Sequence, residues 1–119
     1  MVPKMEVHKL SEMFRGWFVG DFYPTLFRTR DVEVAVKTYP AGASDEAHVH
    51  KIATEITVIV SGYARMNGKT VTAGDIIVVK PGEACAFETL TDVTTTVVKI
   101  PGATNDKYLA QPPKDSASA

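Results

Sequence analysis

Valine recurs at every second residue in DVEVAVKTY, so Val32, Val34 and Val36 share one face of an extended segment. The run TEITVIV is apolar on both faces in its latter half, as a strand between two packed layers would be. In YARMNGKTVT an Asn67-Gly68 pair separates two short strand-like runs. Asn-Gly is the preferred two-residue hairpin turn, because both residues tolerate positive φ. DIIVV, ACAFET and VTTTVVKI complete a series of short strands divided by Gly and Pro turns. Such a series predicts an all-β sandwich or barrel. Ahead of it, residues 10–15 form a candidate short helix, with Ser11 as its cap. The aromatic cluster Trp17, Phe18, Phe22 and Tyr23 follows. Density of this kind outside a motif is expected to pack over one end of a barrel or against a partner subunit. Beyond Pro101 the pattern weakens. NDKYLA reads as a turn of helix and QPPKDSASA as a disordered tail, so residues 1–104 are expected to form one domain and 105–119 a partly disordered tail. No internal repeat is evident.

Length and charge narrow the functional classes. The 119 residues suffice for one core, and 45% apolar with 23% charged residues is ordinary for a globular domain. A formal net charge of −1, with no basic block, argues against nucleic-acid binding. No apolar run reaches membrane-span length, and the N-terminus lacks the apolar core of a signal peptide. The single cysteine cannot make an internal disulfide. A cytoplasmic setting is the resulting expectation.

The chemistry concentrates in GASDEAHVHKIATEITVIVSG. His48 and His50 are separated by one residue, which aims both imidazoles to one side of a strand. Glu55 opens the next β-rich run and can bring a carboxylate to the same point. Two neutral imidazoles and one carboxylate on one face make a divalent-metal site with open positions.

With Gly42 and Gly62, these residues read G-x5-H-x-H-x4-E-x6-G, which resembles the first signature motif of the cupin superfamily. The stretch GDIIVVKPGEACAFET is similar to the second motif from Gly74 to Thr89, with Gly74, Asp75 and Pro81-Gly82 in place. It departs from the motif at three positions. Lys80 stands where a proline is usual, Cys85 where the third ligand histidine is usual, and Thr89 where an asparagine is usual. The resemblance covers residues 31–101. It implies a cupin-type jelly-roll β-barrel, a double-stranded β-helix, preceded here by the short N-terminal helical segment.

The resemblance further implies one divalent transition metal, Fe, Mn, Zn or Ni, held by His48, His50 and Glu55. Cys85 then has three readings: a fourth ligand, a pocket residue that does not coordinate, or a small buried residue. A thiolate would favour zinc, nickel or copper, whereas His-His-Glu alone suits iron(II) or manganese. Tyr39, Tyr63, Arg65, Met66 and Phe87 are candidate pocket walls, and Arg65 could grip a substrate carboxylate. The plainer reading of Arg65 is an exposed strand arginine. Glu46, Glu83 and Glu88 are spare carboxylates, and alternation points Glu88 away from the side used by Cys85 and Phe87.

The functional expectation is a small metal-binding cupin with a small-molecule substrate, a mononuclear non-haem iron oxygenase first and a metal-dependent isomerase or lyase second. A non-enzymatic binding module and a metal-free cupin stay open, since fold does not fix function. A homodimer is expected from the small size and the aromatic N-terminal segment.

Overall fold

The computed structural model describes residues 4–110. Ten strands follow a single turn of 3-10 helix at Leu10–Glu12: β1 (Trp17–Val19), β2 (Glu33–Tyr39), β3 (Ser44–Val49), β4 (Thr54–Ser61), β5 (Tyr63–Met66), β6 (Lys69–Thr72), β7 (Ile76–Val79), β8 (Cys85–Thr89), β9 (Val93–Ile100) and β10 (Tyr108–Leu109). They build two five-stranded sheets, ordered β1-β2-β9-β4-β7 and β10-β3-β8-β5-β6. Every ladder within them is antiparallel.

The all-β expectation holds, with two corrections. The sheets face each other as a sandwich, and no ladder among the described residues joins them into the closed barrel that was expected. The expected helix over residues 10–15 is only the 3-10 turn, bounded by extended backbone at Lys9 and Met13. Ser11 is not its cap. Lys9 holds that position, and its backbone N–H donates to Glu12 Oε1 at 3.3 Å. None of its three residues is buried, so packing does not extend it.

Local chemistry accounts for the turns. Asn67 and Gly68 both take positive φ, 50° and 76°, as the β5–β6 hairpin requires. Asn67 also pins the neighbouring strand: its Nδ2 donates to Ala84 O, and Ala86 N donates to its Oδ1, each at 2.9 Å. Asp75 closes its turn by accepting from Thr72 N at 2.8 Å. Gly62 marks the step from one sheet to the other at φ 91°, and a Cβ there would collide with the Asp92 carbonyl oxygen.

Alternation along β2 is real, but the valine face is not the inner one. Ala35 is fully buried and Glu33 nearly so, while Val34 and Val36 are half-buried on the opposite face. Register aligns Val34 with Val98, Ile56 and Val78 across the sheet. The outer face of the first sheet is therefore apolar, and Val60, Ile76, Val78 and Ile100 on it are about half exposed or more. Between the sheets, Ile59, Ala64, Met66, Val71, Cys85, Phe87 and Val93 form the core cluster.

Residues 105–110 are tied to the sheet rather than forming the expected turn of helix or the start of a tail. Tyr108 pairs with Val49 and Leu109 with His48. The QPPKDSASA segment, 111–119, lies outside the described residues.

Candidate metal centre

β3 ends and β4 begins at the same end of the sandwich, where residues 50–53 connect them. His48 lies near the end of β3, His50 just past it, and Glu55 near the start of β4. The ligand atoms of these three side chains lie within 4.8 Å of one another. The imidazoles meet edge to face with centroids 5.2 Å apart, and His50 Nε2 is 3.7 Å from Glu55 Oε2.

Two features prepare the imidazoles for a cation. His48 Nδ1 donates to the Glu46 carbonyl at 3.2 Å, so the neutral ring carries its lone pair on Nε2. His50 is only 4% exposed, and burial pushes its pKa below the ordinary histidine value although the Glu55 charge pulls the other way. It is therefore a neutral acceptor near pH 7.

The loop between the ligands is clamped from far along the chain. Asp106, 2% exposed, accepts from Lys51 N and Ile52 N through Oδ1 and from Ile52 N and Ala53 N through Oδ2, at 3.0 to 3.2 Å. Burial alone would raise its pKa. The backbone donors of Ala53, Lys51 and Ile52, together with His50, hold it below the ordinary carboxylate value.

The trio opens into a cavity of about 410 Å³ between the sheets. That is near the lower end of ligand-pocket sizes, roughly 300 to 1,000 Å³. Cys85 stands opposite His48 in the β3–β8 ladder and lines the cavity, but it is outside the group of converging ligand atoms. Its Sγ approaches Ala86 O at 3.8 Å, and burial followed by the Glu55 and Asp45 charges pushes its thiol pKa up. Tyr39, Met66 and Phe87 also line the cavity, with the Tyr39 and Phe87 rings 5.0 Å apart. Burial pushes the Tyr39 hydroxyl up to about 12, so it stays protonated as a donor.

Tyr63 and Arg65 are corrections: neither lines this cavity. In β5 the buried positions are Ala64 and Met66, so parity sends Tyr63 and Arg65 outward. Arg65 Nη1 pairs there with Glu88 Oε1 at 2.9 Å, and Glu88 points away from Cys85 and Phe87 as alternation requires. Thr89 serves the fold. Its Oγ1 donates to Pro40 O at 2.7 Å and accepts from Ala43 N at 2.9 Å. Glu83 closes its own turn by accepting from Lys80 N at 2.8 Å.

Several cavity residues escaped the sequence reading. Glu33 and Lys37 share the inner face of β2 with Ala35 and Tyr39, a polar set hidden by the valines beside it. Lys99 Nζ pairs with Glu33 Oε1 at 3.3 Å and donates to Ala103 O at 3.3 Å. Asp45 reaches the cavity because β3 shifts register between Asp45 and His48, which places an odd and an even residue on the same side. Trp17, Phe22 and Tyr23 line the same cavity, so the aromatic segment packs over the open end of the sandwich.

The fold is that of the cupins. A double-stranded β-helix protein from Klebsiella pneumoniae, itself uncharacterized, aligns over 94% of this chain and 100% of its own, with TM-score 0.69 and 22% identity. An RmlC-like cupin from Shewanella frigidimarina aligns over 66% of this chain and 72% of its own, with TM-score 0.60 and 23% identity. The oxalate decarboxylase of Bacillus subtilis, described with Mn(II) centres, aligns over 75% of this chain but 28% of its own, with TM-score 0.58 and 19% identity. No protein-family model and no curated protein matches the chain.

Proposed function

We propose that this chain is a divalent-metal-dependent enzyme that transforms a small organic molecule in the cavity between its sheets, by lyase or isomerase chemistry. The observation that carries the reading is the convergence of the His48, His50 and Glu55 ligand atoms within 4.8 Å at the wall of that cavity. The donor set fits a first-row ion: one imidazole has its tautomer fixed by Glu46 O, one is held neutral by burial, and one carboxylate supplies charge. Such an ion, when bound, supplies a positive centre that polarises a substrate oxygen.

The chain's own residues do the rest. The protonated Tyr39 hydroxyl can donate a hydrogen bond to a bound substrate, and the Asp45 carboxylate, on the same cavity, can accept one. Trp17, Phe22 and Phe87 wall the cavity with apolar surface and exclude water. Cys85 belongs to that wall in this reading. The Mn(II) centres of the oxalate decarboxylase neighbour support the metal at the level of fold analogy.

A mononuclear iron oxygenase is the second reading, favoured by the two-histidine, one-carboxylate set with its open positions. Elemental analysis of untagged protein purified without added metal, followed by assay of small organic acids in an oxygen electrode, separates the readings. Stoichiometric metal with turnover and no oxygen uptake supports the first. Coupled oxygen uptake supports the second. Metal occupancy equal in wild type and His48→Ala/His50→Ala removes both and leaves a binding module. A cytoplasmic homodimer completes the proposal, its contact formed by the exposed apolar outer face of the first sheet. Sedimentation at the 12.9 kDa monomer mass alone would refute the dimer.

A further inference from the structure

We infer that Lys37 and Tyr39 form a carboxylate-binding fork beside the metal centre, so that the molecule taken by the cavity is a small organic carboxylate with a flat apolar body. The inference deepens the proposed function and rests on its reading of the cavity as the substrate site.

Arg15 and three lysines, Lys37, Lys99 and Lys107, line the cavity; Lys37 and Lys99 come from neighbouring strands, and they differ. Lys99 is committed to Glu33 and to Ala103 O, each at 3.3 Å. Lys37 makes no ion pair and no hydrogen bond among the described residues. Its Nζ lies 5.5 Å from the centre of the Trp17 ring and 5.9 Å from that of Tyr39. Burial outweighs the attraction of Asp45 and Glu55 and pushes the ammonium pKa down. A partly desolvated ammonium with no anionic partner gains from an incoming anion. Tyr39 follows two residues later on the same face of β2, and its hydroxyl likewise has no hydrogen-bond partner among the described residues. An ammonium and a hydroxyl on one face of β2, with the ammonium 5.9 Å from the tyrosine ring centre, can each offer a donor to a carboxylate lying between them. The rings of Trp17, Phe22 and Phe87 line the same space and suit a planar apolar body. Asp45 and Glu55 are the carboxylates that act on Lys37. Neither closes on it, and Glu55 is the anionic member of the metal trio.

Trp17 is the only tryptophan of the chain, so its fluorescence reports on the space next to Lys37. Full-length protein is titrated with benzoate and with its neutral isostere benzamide, with and without added Mn(II). Benzoate should bind roughly tenfold or more tightly than benzamide, the worth of a charge-assisted hydrogen bond. K37M should abolish that preference, K37R should retain part of it, and Y39F should reduce it. The Lys37-dependent part should survive in H48A/H50A, which separates this inference from the metal: failure of metal binding with a Lys37-dependent preference intact sinks only the proposed function. Melting curves establish that each variant is folded, and K37Q replaces K37M if the latter is not. No saturable benzoate binding below about 10 mM, equal affinity for the two probes, or a preference unchanged in the folded Lys37 variants overturns the inference.

Discussion

The two ends of the space between the sheets share strand β9 but are held by different forces. At one end Ile59, Ala64, Val71 and Val93 are buried against each other, and no charge is involved. At the other, Glu33, His50, Lys99 and Asp106 are buried, every one a polar or charged side chain. Among the described residues no buried side-chain nitrogen or oxygen lacks a partner. The apolar end is stabilised by removal of area from water, which tolerates approximate shapes. The polar end stands only while its charges are matched, which makes it sensitive to single atoms. A sandwich of this size can carry a polar cavity because its other end supplies the apolar core.

Substitutions at each end test that division. Ile59→Ala should cost about 4 kcal/mol in urea unfolding, since Ile59 is fully buried. Metal content of the folded fraction should stay at the wild-type level, and its loss would show that the two ends are one cooperative site. Asp106→Ala should cost about 3 kcal/mol, because it strands the backbone N–H groups of Lys51, Ile52 and Ala53. Unlike the first change, it should also weaken metal affinity, by loosening the loop between His50 and Glu55. Intact affinity would reduce Asp106 to a purely structural clamp.

Acid should act on the polar end first. The His50 pKa is lowered in the fold, so below the ordinary histidine value of about 6.5 the unfolded chain binds more protons. Stability of the metal-free protein should be full above that pH and fall as pH drops through it. Asp106, also lowered, adds a further loss of the same sign only below about pH 4. Denaturation midpoints measured from about pH 8 to about pH 2 check this, and His50→Gln should remove the upper part of the dependence. The smallest effect is expected outside the cavity. Arg65→Ala should cost less than about 1 kcal/mol, because the Arg65–Glu88 pair is roughly half exposed. It should leave benzoate binding unchanged, whereas an effect on binding would return Arg65 to the site.

The convergence of His48, His50 and Glu55 was legible because their spacing survives folding. His48, His50 and Glu55 sit within a few residues of one short connection, so local geometry nearly suffices to bring them together. The Asn67-Gly68 hairpin was legible for the same reason: its φ values are demanded by the turn itself. Lys37 and Glu33 were not. Alternation in β2 separates two faces but carries no label for the inner one, and the valines proved to be on the outer face. Arg65 and Tyr63 failed in the mirror sense, as plausible chemistry on the outward parity of β5.

The sequence alone therefore determined the strand series, the turn positions and the His-His-Glu spacing, all set by steric rules acting over a few residues. Tertiary structure decided the rest. It chose which face of β2 points inward, through pairing with β9 some sixty residues later. It brought Asp45 into the cavity through a register shift against β8. It set Asp106 beneath a loop more than fifty residues earlier in the chain. Each depends on which distant strand lies alongside, and that is fixed by the joint burial of both sheets rather than by any local pattern.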